Sequence, residues 1–122
     1  MAISNNSIFY QIYPLGFCGA NEHNDYCSPA TSALSKISEN IEHLKKLGIN
    51  AVYLGPLFES ESHGYNTVDY FHVDRRLGTN EDLRNLINNF HANGIDVILD
   101  AVFNHSGREF FAFKDIKNKF YN

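Results

Sequence analysis

No stretch of this sequence stays apolar for more than a few residues, so it contains no transmembrane helix and no membrane partner is expected. Positive charge is not in excess: 10 Lys and Arg face 14 Asp and Glu, a formal net charge of −4. A protein that grips phosphate backbones carries a basic stripe, so no nucleic acid partner is expected either. The opening Met1-Ala2-Ile3-Ser4-Asn5-Asn6-Ser7 has neither a basic n-region nor an apolar h-region. No secretory signal is read there, and the expected location is cytoplasmic. Cysteine is scarce. Cys18 and Cys27 allow at most one disulfide, and without export two free thiols are expected. Cys18, His23 and Cys27 read C-x4-H-x3-C, which lacks the fourth ligand and the tight spacing of structural zinc.

What is present is ordinary globular composition, 43% hydrophobic and 20% charged over 122 residues. That excludes wholesale disorder and suits one domain. Two helices are predicted. The first spans about Ser32 to Leu47, with Leu34, Ile37, Ile41, Leu44 and Leu47 in one stripe. Lys45 and Lys46 favour its C-terminal end, and Gly48 supplies the left-handed residue that stops it. The second spans about Asn80 to Asn93. It opens on Thr79-Asn80-Glu81-Asp82, buries Leu83, Leu86, Ile87 and Phe90, and stops at Gly94.

After each of these glycines comes a short apolar run. Gly48-Ile49-Asn50-Ala51-Val52-Tyr53-Leu54 aligns with Gly94-Ile95-Asp96-Val97-Ile98-Leu99-Asp100. Continuous rather than alternating apolar character marks parallel strands covered on both faces. Ile8 to Tyr13 forms a third such run ahead of the first helix. The predicted order is strand, helix, strand, helix, strand, in a parallel α/β sheet. The connections before the helices are long, Pro14 to Thr31 and Gly55 to Thr79. Ligands of βα folds sit outside the carboxyl ends of the strands, where these long connections emerge. The aromatic tail Phe110, Phe111, Phe113, Phe120 and Tyr121 is too apolar for free solvated chain and is expected to pack on something outside these residues.

Two clusters on that face carry chemistry. Asp100-Ala101-Val102-Phe103-Asn104-His105 brings three polar side chains to a strand end, where they can converge on a ligand. An Asp at a strand end also caps local backbone N–H groups, and spacing does not separate the two roles. The second cluster runs from His63 to Thr79 and sets rings beside polar groups. Such a surface suits a sugar, with its apolar C–H face and hydroxyl rim; the same residues also suit loop packing on top of the sheet.

Asp100 to His105 resembles the D-x-V-x-N-H motif on the third barrel strand of the α-amylase superfamily, glycoside hydrolase family 13. The His63–Thr79 stretch resembles that family's G-Y-D-x-x-D-Y…GT loop. Ile8-Phe9-Tyr10-Gln11-Ile12-Tyr13-Pro14 resembles its opening strand, and Leu47 to Pro56 its second. Four pieces in the family's order cover nearly the whole chain. Asn66 stands where many members have Asp, and the loop Phe17 to Ala30 matches no family feature.

The resemblance implies the first three strand–helix units of an incomplete (β/α)8 TIM barrel, with 1–122 as an N-terminal segment of its catalytic domain. It implies a retaining glycoside hydrolase or transglycosylase acting on an α-glucan or maltooligosaccharide. Tyr65 would stack on the sugar just before the scissile bond, His105 would hydrogen-bond that sugar, and Asp100 would orient the polar network. No cofactor is required. Asn104 resembles a position that ligates a structural calcium in many members, although calcium takes six to eight oxygen ligands. A retaining enzyme needs a carboxylate nucleophile and an acid/base about 5 Å apart. The family carries these on its fourth and fifth strands, so catalytic residues are expected to lie outside this sequence. Glu59, Glu61, Asp69, Asp74 and Asp100 are not fixed by spacing across one glycosidic oxygen. The alternatives are a non-catalytic carbohydrate-binding module and a half-barrel that assembles with another chain or with itself through exposed sheet edges.

Overall fold

A computed structural model describes residues 5–103 and 105–121, without the side chains of 120 and 121. Three parallel strands form the main sheet: β1 (Phe9–Ile12), β2 (Ala51–Leu54) and, last in the chain, β5 (Asp96–Leu99), in the order β1-β2-β5. This is the predicted sheet, with each strand inside its predicted run. Phe9 pairs with Ala51, and Ala51 with Asp96. The sequence repeat places Gly94 46 residues after Gly48, yet the paired register is 45, Ala51 to Asp96. A stagger of about one residue per strand is what a tilted eight-stranded barrel of shear 8 requires.

The connection from β1 to β2 differs from the single predicted helix. It contains a one-turn α1 (Pro14–Phe17), then α2 (Ser35–Ser38) and α3 (Ile41–Lys46). The break at Glu39 and Asn40 has a local cause. The Asn40 side-chain amide donates to the Lys36 carbonyl at 2.9 Å, while the Asn40 backbone N–H turns to Ile37. A side-chain amide thus competes for the carbonyl that a continuous helix would use. The stripe survives: Leu34, Ile37, Ile41 and Leu44 are all buried. Leu47 does not belong to it and is 54% exposed.

The connection from β2 to β5 is also richer than a loop. It holds an antiparallel hairpin, β3 (Phe58–Ser60) with β4 (Thr67–Val73), before α4 (Asn80–Ala92). Thr79 caps α4 by accepting from the Asp82 backbone N–H, and the Asp82 carboxylate accepts from the Thr79 N–H. This reciprocal box satisfies two otherwise orphaned donors. Leu83, Leu86 and Phe90 are buried, while Ile87 packs half-buried beside them. Together with Leu54, Leu57 and Leu77, they build the core between helices and sheet. Beyond β5, residues predicted only as an apolar tail form α5 (Phe111–Tyr121), with Phe111, Phe113 and Ile116 exposed. At the other edge of the sheet, Phe9 and Tyr10 of β1 are exposed as well.

Candidate functional site

The carboxyl ends of β1, β2 and β5 lie side by side: the Gly55 N–H donates to the Ile12 carbonyl and the Asp100 N–H to the Leu54 carbonyl. Asp100 therefore sits one residue past β5, half-buried among the ends of its neighbours. The phenols of Tyr53 of β2 and Tyr65 of the hairpin turn lie beside its carboxylate, which favours their protonated forms. Asp100 is the main reason the Tyr53 hydroxyl is harder to ionise than usual. For Tyr65, partial burial comes first and Asp100 second. Both phenols stay protonated near neutral pH.

Tyr65 is aimed by its turn. Gly64 adopts φ of +95°, and a Cβ there would lie 2.7 Å from Pro56, so both backbone and space call for glycine. The Tyr65 backbone N–H donates to His63 Nδ1 at 3.1 Å, and the Tyr13 hydroxyl donates to the His63 carbonyl at 2.7 Å. These bonds tie the turn to the end of β1. Tyr65 remains 40% exposed, open to a ligand beside the half-buried Asp100.

Of the three sequence-predicted contact residues, Tyr65 and Asp100 are brought together. His105 is exposed on a neighbouring hollow of about 450 Å3 lined by Tyr70, Phe103, Ser106 and Phe110. Asn104, the predicted calcium ligand, lies outside the described residues. Among those described, no three His, Cys, Asp or Glu side chains group to hold a metal. Cys18 and Cys27 are free thiols; Cys18 is buried, its Sγ 3.2 Å from the Ala33 carbonyl, and burial raises its pKa.

The other acids on this face are engaged in holding loops. Asp74 is buried and takes Arg76 in a two-pronged pair, 2.9 Å to Nε and 2.8 Å to Nη2, plus the Ser60 N–H and hydroxyl. Arg76 in turn donates to the Asn21 carbonyl and pins the first long connection. Glu59 is buried against Asn24 and Arg75. Glu61 accepts from the Glu109 N–H, and Asp69 contacts His72.

Sequence reasoning missed Tyr53 as a member of the site. Its signal was available: a phenol inside the aliphatic run Ala51-Val52-Tyr53-Leu54 needs a partner for its hydroxyl.

Comparison with known proteins agrees with this geometry. The family model "Alpha amylase, catalytic domain" matches residues 11–121. A cyclomaltodextrinase from a Bacillus species is 41% identical over 125 residues, covering 91% of this chain and 22% of its own length. A maltogenic alpha-amylase from Bacillus acidopullulyticus is 39% identical over 128 residues, covering 93% and 22%. Among solved structures, the ligand-free cyclic alpha-maltosyl-(1→6)-maltose hydrolase from Arthrobacter globiformis superposes with a TM-score of 0.79 at 34% identity, over 96% of this chain and 30% of its own. The chain thus spans about a fifth of the length of the curated relatives it matches. With the family model covering nearly all of its residues and the parallel strand order in place, the chain belongs to the α-amylase family of glycoside hydrolases, family 13, within the catalytic domain.

Proposed function

We propose that these residues form part of the sugar-binding face of a retaining enzyme that hydrolyses or transfers α-glucans or maltooligosaccharides. Tyr65 stacks on the apolar face of a glucosyl ring, Asp100 orients the surrounding hydroxyls, and His105 donates to the same sugar. The observation that carries this reading is Tyr65, 40% exposed on a turn fixed by Gly64 and His63, beside the Asp100 carboxylate at the strand end. A ring aimed by its backbone and open on its face is a preorganised stacking platform. The proposal assigns the nucleophile and acid/base to strands outside residues 1–122; in keeping with it, Glu59, Asp69 and Asp74 pair with Arg75, His72 and Arg76. The relatives' names support glucan-type substrates: cyclomaltodextrinase and maltogenic alpha-amylase.

The test is kinetic, in the full-length enzyme. Tyr65→Ala and His105→Ala are each expected to remove about 2–4 kcal/mol of transition-state stabilisation, read from kcat/KM on maltooligosaccharides. The melting temperature should change little, because both side chains face outward. Unfolding instead of slow turnover would assign that side chain to the core.

A further inference from the structure

Tyr70 of β4 has no assigned role, yet it joins the hairpin to the segment carrying His105. Its hydroxyl oxygen lies 2.8 Å from the Val102 carbonyl and 2.9 Å from the His105 carbonyl, on either side of residue 104. A single O–H serves these two acceptors, 32 and 35 residues away in sequence. Its ring meets Phe110 edge-on, with centroids 5.5 Å apart at 86°. The segment is held along the same hairpin at further points. The Gly107 N–H donates to the Thr67 carbonyl at 2.7 Å, and the Glu109 N–H to Glu61 Oε1 at 2.9 Å. A Cβ on Gly107 would come within 2.5 Å of the Asn66 carbonyl oxygen, so the backbones approach this closely only with glycine.

We propose that Tyr70 is a positioning residue that fixes the backbone carrying His105 relative to Tyr65, which the same hairpin presents five residues earlier. The proposal rests on the reading of His105 as a sugar contact. The hairpin then sets both contacts at once: Tyr65 directly from its turn, His105 through the Tyr70 hydroxyl. Productive sugar geometry depends on their separation, so a loosened His105 weakens the transition state more than initial binding.

The experiment is a double-mutant cycle in the full-length enzyme with Tyr70→Phe, His105→Ala and the double variant, assayed on a maltooligosaccharide. Phenylalanine keeps the ring against Phe110 and removes only the hydroxyl. Losing one neutral hydrogen bond is expected to lower kcat/KM about 3- to 10-fold. The loss should fall mainly in kcat, with KM and melting temperature near those of the parent. In the His105→Ala background, Tyr70→Phe should cost nothing further, because it acts through the residue already removed. Losses that multiply, an unimpaired Tyr70→Phe enzyme beside an impaired His105→Ala enzyme, or a Tyr70→Phe protein without a cooperative melt would each overturn the proposal. A fully active His105→Ala enzyme is a separate result: it overturns the reading of His105 itself and the proposal with it.

Discussion

A tyrosine on a protein surface is a mobile amphipathic ring; Tyr65 is different because three local constraints converge on it. Gly64 turns the chain with a positive φ against Pro56, His63 takes the Tyr65 N–H, and Asp100 lies beside the phenol. Gly64→Ala should therefore strain the turn, overlap Pro56 and destabilise the protein by about 1–3 kcal/mol. Kinetically it should resemble a weakened Tyr65. A parent-like melt and parent-like turnover would show that the turn tolerates a side chain. Tyr65 and Asp100 were named through family motifs, which are local in sequence. The contacts of Tyr53 and Tyr70 were not readable, because the partner of a phenol lies across the fold. Tyr70 reaches carbonyls 32 and 35 residues away, and no local spacing encodes that.

At the scale of elements, the two glycine-stopped connections show what periodicity conveys and what it hides. α4 was legible from end to end, since cap, stripe and stop all agree. Thr79→Ala should cost about 1 kcal/mol by unmaking the side-chain half of its capping box, measured by thermal or chemical unfolding. No change would mean that the Asp82 half suffices. The first connection hid its break, because Ile37 and Ile41 stay four apart whether or not the backbone between them is continuous. The Asn40 side chain decides that, through Lys36. The β3–β4 hairpin was hidden for another reason. β3 has three residues with irregular register, and Thr67 and Val68 of β4 are both buried, so burial does not alternate at period two. The long connections do follow the carboxyl ends of the strands, but their internal structure depends on contacts between loops.

At the scale of the whole molecule, the face that presents Tyr65 and Asp100 is held together by a buried ion pair rather than by the sheet alone. Asp74 and Arg76, with side chains 1% and 8% exposed, link β3, the segment after β4 and the first long connection. Arg76→Ala would leave the Asp74 carboxylate buried without its cation and should destabilise the protein by about 3–5 kcal/mol. The control is Arg84→Ala, whose pair with Glu81 is 70% and 64% exposed; it should cost about 0.5 kcal/mol or less. Equal effects would show that Asp74 is compensated by its other donors. The parallel sheet order was readable from composition and repeat, and the family resemblance suggested the proposed ligand class. The Asp74–Arg76 link was not readable, since acids and arginines in one loop pair in many ways until the fold selects one.

The most direct measurement is a crystal structure of the full-length enzyme with a bound maltooligosaccharide. A glucosyl ring stacked on Tyr65, with a hydroxyl within hydrogen-bond distance of His105 and Asp100 at the base of that contact, is the predicted result. A glucan bound in the active cleft with no sugar against Tyr65 would contradict the assignment of this face to substrate.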